Sequence, residues 1–273
     1  MAKLDRLGWA DGISFLSYGV RIGVRVNKPG ALDLVLNYLP PGWKPASSPV
    51  VERLYSLIVG GDGPRPNVRR FNLLYAGIVR MAKSVDLAQI LESLESDVQF
   101  HVAQVARRKV FVHAGVVGWQ GRAILIPGRS FSGKSTLVAE LVRAGATYYS
   151  DEYAVLDARG RVHPFARPLA MRENGTGRMK KYSVEEMGGL RGTKPLPVGL
   201  VVVSKYKAGA RWRPRQLSPG QGALALLDNT VCARQQPEMA LATIKQLWQA
   251  PVLKGVRGEA RAVVDFILDR FRD

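Results

Sequence analysis

The chain has 273 residues, 47% hydrophobic and 23% charged, a composition that excludes disordered and fibrous proteins. No run of 18 apolar residues is present, and charged residues interrupt the N-terminus, so we expect a soluble, cytoplasmic protein that does not enter membranes. The 40 Lys and Arg outnumber the 22 Asp and Glu, and the resulting charge of +18 suggests a polyanionic partner.

The pattern of residues in the N-terminal third of the chain is typical of short β-strands. Residues 13–26 and 32–39 have strand-like patterns, and turn-forming clusters follow them at 27–30 and 40–42. The sequence therefore predicts a β-rich N-terminal lobe over residues 1–85, with a substrate-binding or regulatory role.

A long amphipathic helix is predicted next. Apolar residues recur every three or four positions between Asp86 and Arg108, and Asp86 and Gln89 form a candidate capping pair. We interpret residues 86–109 as a connecting helix at the start of a C-terminal catalytic domain, residues 86–273.

The middle of the chain alternates between strand and helix. Residues 110–117 and 123–127 read as two strands, 134–143 as a helix that ends at Gly145, and 147–156 as a return to extended structure. This order predicts an α/β fold in which a glycine loop joins a strand to a helix.

Weaker signals follow. We expect a mobile loop over 174–194, a buried strand over 198–206, and helices near 223–227, 238–249 and 259–271, the first of them capped by Ser218. Five cations between residues 205 and 215 alternate with other residues and have no acid among them: Lys205, Lys207, Arg211, Arg213 and Arg215.

One motif carries a specific chemical prediction. It fits the phosphate-binding pattern G-x-x-x-x-G-K-[ST] at every fixed position, and roughly 0.01 chance matches are expected in a chain of this composition. Its residues are Gly128, Arg129, Ser130, Phe131, Ser132, Gly133, Lys134 and Ser135.

The motif predicts a site for ATP and Mg²⁺. Consecutive backbone N–H groups of such a loop, with the N-terminus of the following helix, surround an anion. Lys134 would reach the β- and γ-phosphates, Ser135 would bind Mg²⁺, and Thr136 would lie behind it in the first helical turn.

Acidic residues and a histidine lie at suitable distances along the chain. Asp151 and Glu152 follow the helix at a predicted strand end, where phosphoryl transfer needs carboxylates for the metal and for the proton of the attacking group. His113 lies on the strand before the loop strand, and a hairpin would bring it back to the phosphates. Arg167 and Arg172 are candidates for contacts with the transferred phosphoryl group.

These residues together resemble the catalytic domain of HPr kinase/phosphorylase. The resemblance rests on the run that starts at His113, on the Gly128–Ser135 loop, and on Asp151-Glu152 after a helix ending in Arg-Ala-Gly. Residues 165–172 and the Leu217-Ser-Pro helix start look closest to the HPr-kinase-related branch that includes the serine kinases of lasso-peptide biosynthesis.

The resemblance implies a phosphoenolpyruvate-carboxykinase-like nucleotide fold and Mg-dependent phosphorylation of a serine hydroxyl in a protein or peptide. It makes Asp151 the general base, His113 its hydrogen-bonded partner and Glu152 a metal ligand beside Ser135. A counterpart of the family's Glu-x-Arg-Gly-x-Gly stretch is missing from the sequence. We therefore do not expect phosphorylase activity.

Two alternatives remain open from the sequence. One is a P-loop ATPase or nucleotide-gated module that acts on nucleic acid, which the basic residues at 205–215 suggest. The other is a kinase for a small-molecule hydroxyl. Both share the loop and the acids with the first hypothesis, and the sequence leaves a homo-oligomer open.

Overall fold

The computed structural model describes residues 2–61, 70–129, 132–172 and 179–271. The chain divides into two compact units, Met1–Arg107 and Arg108–Asp273. The long helix groups with the first unit, so this boundary differs from the one predicted after residue 85. The reason is packing: the apolar face of the helix lies against strands of the N-terminal sheet.

The helices and strands of the first unit are α1 (Ala2–Asp5), β1 (Asp11–Ser17), β2 (Val20–Val26), α2 (Ala31–Leu36), β3 (Lys44–Pro45), β4 (Arg53–Ile58), β5 (Asn72–Ala76), β6 (Val79–Ser84) and α3 (Leu87–Val105). The six strands form one sheet in the order β3-β1-β2-β4-β5-β6, within the described residues. The β-rich N-terminal lobe expected from the sequence is therefore present.

The structure of this unit differs from the sequence predictions at two segments, residues 13–26 and 32–39. The extended segment 13–26 is a hairpin, because Tyr18 and Gly19 both take positive φ and make a two-residue turn. The segment 32–39 begins as helix α2 instead of a strand. Ala31 and Val35, four positions apart, are its buried residues, a spacing that suits a helix better than a strand.

Helix α3 begins after Asp86, as predicted, but Gln89 does not complete the predicted capping pair. Asp86 accepts a hydrogen bond from the Ala88 N–H, as an N-cap should. Gln89 instead accepts a hydrogen bond from the Ser84 hydroxyl and so links the helix to the preceding strand.

The second unit contains β7 (Val110–Trp119), β8 (Arg122–Pro127), α4 (Lys134–Arg143), β9 (Thr147–Ser150), β10 (Tyr153–Leu156), β11 (Arg161–His163), β12 (Leu169–Arg172), β13 (Met179–Tyr182), β14 (Leu196–Tyr206), β15 (Arg215–Gln216), α5 (Pro219–Leu227), α6 (Pro237–Lys245), β16 (Val252–Arg257) and α7 (Val264–Leu268). Short 3₁₀ turns cover Glu185–Met187, Arg261–Val263 and Asp269–Phe271. The mixed α/β fold class is confirmed.

The main sheet of this unit runs β11-β10-β7-β8-β14-β16-β15, and β9 pairs with β7. Strands β8, β14 and β16 are mutually parallel, whereas β7 is antiparallel to β8, β9 and β10. Both faces of strand β8 are buried, because helices pack on each side of the sheet. Ile124 and Ile126 pack with α4 and α7, and Ala123 and Leu125 pack with α5 and α6.

The C-terminal helices and strands follow the predictions in part. Helix α5 has the full capping box between Ser218 and Gln221. Strand β16 was not predicted, although it lies inside the sheet. Residues 259–271 form a short helix between two 3₁₀ turns instead of one helix.

The predicted mobile loop over 174–194 is partly regular structure. Residues 173–178 lie outside the described residues, and after them β13 pairs antiparallel with β12. No helix in the described part of the chain has the length and apolar character needed to cross a bilayer.

Helix α4 lies very close to strand β7 at Gly115, where a Cβ atom would come within 2.5 Å of a Val138 methyl group. We predict that Gly115→Ala destabilises the protein by about 1–3 kcal/mol, because overpacking forces the helix away from the sheet. Thermal unfolding should then show a Tm lower by about 2–4 °C per kcal/mol. Gly220→Ala is the matched control, since its Cβ would meet no atom within 4 Å. An equal Tm for both variants would contradict the prediction.

Candidate active site

The glycine loop lies at the edge of the sheet where the parallel strands end. Strand β8 ends at Pro127, the loop follows, and α4 begins at Lys134. Gly133 has φ of 87°, a left-handed conformation that suits glycine and turns the chain into the helix. The carboxyl ends of β14 and β16 reach the same edge, because both are parallel in one sheet with β8. Strand, loop and helix are thus in the order the motif requires.

The β7–β8 hairpin brings His113 beside this loop. Ala114 pairs with Pro127, and the Gly128 N–H donates a hydrogen bond to the carbonyl oxygen of His113 at 3.2 Å. Gln120 and Gly121 take positive φ and close the hairpin. The expected return of His113 to the phosphate loop is thus present in the structure.

Lys134 is buried, and its ammonium group lies within the curve of the loop. Its Nζ donates to the carbonyl oxygens of Gly128 at 2.7 Å and Arg129 at 3.1 Å. Burial lowers the pKa of Lys134, and the negative charges of Glu152 and Asp151 oppose that shift. A positive charge is therefore held close to the loop backbone.

Asp151 faces the start of helix α4. Its Oδ2 accepts a hydrogen bond from the Ser135 hydroxyl at 3.2 Å, and the Ala170 N–H lies 3.4 Å from the same oxygen. The Tyr148 hydroxyl lies 3.1 Å from Oδ1 and 2.8 Å from the carbonyl oxygen of Arg167, so its one proton can be donated to either. Burial is the main cause that raises the pKa of Asp151, and the charge of Glu152 adds to it.

Glu152 faces His113 instead. The Nε2 atom of His113 lies 3.4 Å from Glu152 Oε1 and 3.4 Å from Lys134 Nζ. When Nε2 carries a proton it can donate to Glu152, and when it does not it can accept from Lys134. Burial raises the pKa of Glu152, but the hydrogen bond and charge of His113, with the charges of Lys134 and Arg167, outweigh it and hold the pKa below its usual value.

This geometry corrects the expected partnership between His113 and Asp151. The histidine contacts Glu152, and Asp151 contacts Ser135. The cause is the turn between β9 and β10. The Ser150 hydroxyl accepts the N–H groups of Glu152 and Tyr153, and the two acids in the turn face different partners.

The other predicted site residues are placed less centrally. Arg167 is half-buried, and its carbonyl oxygen lies 2.8 Å from the Tyr148 hydroxyl, which also contacts Asp151. Ser132 has a buried hydroxyl without a hydrogen-bond partner among the described residues, and Arg129 and Thr136 are exposed. Ser130 and Phe131 lie outside the described residues, as does the side chain of Arg172.

Sequence reasoning missed Arg257, the last residue of β16. Its side chain is 1% exposed, and its Nη2 donates to the carbonyl oxygen of Gly133 at 2.7 Å. Nη1 donates to the Gly258 carbonyl oxygen at 2.9 Å. The signal that could have found it is the strand-like run Val252–Arg257, which ends in a cation at the same sheet edge as the loop.

The donor set fits a hard divalent cation such as Mg²⁺. The Ser135 hydroxyl and the Asp151 carboxylate lie within hydrogen-bond distance of each other, and oxygen ligands of this kind are those that Mg²⁺ prefers. Among the described residues, no group of three or more Asp, Glu, His or Cys is placed to hold a metal.

No family model matches the chain, and no curated protein matches it. Among solved structures, the Hpr(Ser) kinase/phosphatase from Coxiella burnetii is similar over 59% of this chain and 95% of its own, with 14% identity and a TM-score of 0.35.

The buried carboxylate of Asp151 leads to a prediction on stability. Its folded-state pKa lies above the ordinary value, so folding binds protons and stability falls as the pH rises through that raised pKa. Asp151→Asn should therefore raise Tm near pH 7, by about 2–4 °C for each kcal/mol gained, and the difference should shrink at acidic pH. Thermal unfolding between acidic and neutral pH measures this. A lower Tm for the variant at neutral pH would contradict it.

Proposed function

We propose that this protein is an ATP- and Mg-dependent phosphotransferase that transfers a phosphoryl group to a serine hydroxyl of a protein or peptide. The supporting observation is the meeting of five side chains at the carboxyl edge of β8, which come from β7, α4 and the β9–β10 turn: His113, Lys134, Ser135, Asp151 and Glu152. Each supplies one of the functions that phosphoryl transfer requires.

The loop and Lys134 would bind the nucleotide phosphates. Lys134 Nζ is already within the loop, and the buried Ser132 hydroxyl without a partner among the described residues is a further donor there. The N-terminus of α4 adds the partial positive charge of its free N–H groups. These groups would stabilise the charge that develops on the transferred phosphoryl group.

Asp151 and Ser135 would hold Mg²⁺. P-loop proteins hold this ion with a serine or threonine of the loop and an aspartate from a nearby strand end. Ser135 at the start of α4 and Asp151 after β9 have this arrangement. When bound, Mg²⁺ neutralises charge on the phosphates. Asp151 is held in place by the Tyr148 hydroxyl on β9 and by the Ala170 N–H on β12.

Glu152 would be the general base. The hydrogen bond with His113 and the charges of His113, Lys134 and Arg167 hold the pKa of Glu152 below its usual value, so the carboxylate is ionised and can accept a proton. The acceptor oxygen would form a bond to the γ-phosphorus, the bond from that phosphorus to the bridging oxygen of ADP would break, and the hydroxyl proton would pass to Glu152. His113 would orient this carboxylate through Nε2.

The acceptor assignment depends on the resemblance to HPr kinase/phosphorylase in the sequence motifs. We carry over serine as the acceptor and a phosphoenolpyruvate-carboxykinase-like fold, without phosphorylase activity. Water could occupy the position of the hydroxyl beside Glu152, so ATP hydrolysis is the second candidate. A small-molecule hydroxyl would use the same atoms.

Label transfer tests the roles of the two acids. With γ-labelled ATP, Mg²⁺ and an array of serine-containing peptides, Glu152→Gln should lower transfer by about 10²-fold or more and leave ATP affinity within about twofold. Asp151→Asn should raise the Mg²⁺ concentration needed for half-maximal rate, and Lys134→Ala should abolish ATP binding. Glu238→Gln, an exposed acid on α6, is the control with wild-type rates.

The outcomes separate the candidates. Label on a peptide that disappears in Glu152→Gln supports the kinase. Free phosphate with no labelled peptide favours the ATPase. Full transfer by Glu152→Gln together with none by Asp151→Asn would return the base role to Asp151.

Arg257 gives a separate prediction for nucleotide binding. Its guanidinium holds the Gly133 carbonyl, which also accepts from the Leu137 N–H, so it acts as a positioning residue for the loop. A hydrogen bond from a charged group contributes about 1.5–3 kcal/mol, so Arg257→Gln should weaken ATP binding roughly 10- to 100-fold. Titration with ATP measures this, with the exposed Arg261→Gln as control. Unchanged affinity in a folded Arg257→Gln protein would dismiss the role.

A further inference from the structure

A row of exposed cations lies at one end of the main sheet of the second unit. We call it the basic strip, and its members lie on β14, on the connection that follows, on β15 and on β16: Lys205, Lys207, Arg211, Arg213, Arg215 and Lys254. Within the described residues, no side chain of the strip has a hydrogen bond or an ion pair. Elsewhere in the protein, arginines such as Arg25, Arg53 and Arg161 are paired with aspartates.

The sheet register places like charges against each other in this strip. Arg215 on β15 lies directly opposite Lys254 on β16, and like charges in that position destabilise a sheet. Lys205 pairs with Val256, two residues from Lys254 on the same face. An anion bound between these side chains would relieve the repulsion.

The connection between β14 and β15 is anchored so that its arginines face solvent. Trp212 packs against Gly255, where a Cβ would come within 3.0 Å of the indole, and its ring contacts Phe266 edge to face. Arg211 and Arg213 on either side are exposed. The segment between β14 and β15 therefore presents Arg211 and Arg213 from an anchored backbone, with the ring of Trp212 between them facing inward. Tyr206 has an exposed ring in this region, and its hydroxyl donates to Glu259.

The strip begins next to the phosphate loop. The Lys207 N–H donates to the carbonyl oxygen of Arg257 at 2.9 Å, and the Arg257 side chain donates to the carbonyl oxygen of Gly133. Tyr206 lies against Gly133, because a Cβ built on that glycine would be 3.4 Å from the Cβ of Tyr206. A chain bound along the strip would thus pass beside the loop.

We propose that the basic strip binds an acidic segment of the peptide or protein that the site phosphorylates. This inference rests on the proposed function, and it names the acceptor class as a serine with glutamates or aspartates near it. Carboxylates match cations that have no partner within the described residues. The strip begins beside Gly133 of the phosphate loop, so a segment bound along it would place an attached serine close to the site. Affinity through such contacts falls steeply with salt.

Fluorescence anisotropy of the full chain tests this with three labelled probes: a glutamate-rich peptide with one serine, its glutamine analogue, and an oligothymidylate of the same charge. The glutamate peptide should bind at low salt and the glutamine analogue should not. The triple variant Arg211→Glu, Arg213→Glu, Arg215→Glu should weaken binding by about tenfold or more. A control triple variant carries the same charge change at exposed sites of the same unit, Arg122→Glu, Arg234→Glu and Arg261→Glu, and should bind within about twofold of wild type.

The neutral variant Arg211→Gln with Arg213→Gln should show a smaller loss of peptide affinity, and it tests the proposal if charge reversal unfolds the protein.

Equal losses of affinity in both triple variants, no binding by wild type, or tighter binding of the oligothymidylate would overturn the proposal. Lys134→Ala should bind the glutamate peptide normally. Peptide binding without phosphoryl transfer in wild type would therefore contradict the proposed function and leave the strip assignment standing.

Discussion

The register of strand β7 is the constraint on which the candidate site depends. This strand pairs antiparallel with β8, which leads into the phosphate loop, and with β9 and β10, which flank the two acids. His113 faces the loop because Ala114 is opposite Pro127, and Gly115 lets α4 pack directly on the strand. A one-residue slip would turn His113 to the other face of the sheet.

The electrostatics of the site follow from that geometry. Asp151 and Glu152 are neighbours in sequence, yet burial raises the pKa of Asp151, while the hydrogen bond with His113 and nearby positive charges hold the pKa of Glu152 below its usual value. Adjacent groups whose pKa values are moved apart are suited to different tasks in one reaction. Here the buried acid lies with Ser135, and the acid with the low pKa lies with His113.

The C-terminal strands extend the site beyond its motif. Strand β16 carries Arg257 to the loop carbonyl and Lys254 to the basic strip, and parallel pairing with β14 places both near the same sheet edge. Strand β16, which the sequence analysis did not predict, therefore links the proposed nucleotide site to the proposed acceptor surface.

The sequence alone determined the features that depend on local spacing: the strand–loop–helix around Lys134, the capping box at Ser218, the long helix α3 and the hairpin that returns His113. The tertiary structure decided which acid meets which partner, since a turn fixed by the Ser150 hydroxyl directs Asp151 and Glu152 to different neighbours. It also decided the unit to which α3 belongs and the approach of Arg257 to Gly133. These features depend on contacts between residues far apart in the chain, such as Arg257 and Gly133, which are 124 positions apart. Local sequence patterns cannot predict such contacts, because they reflect only neighbouring residues.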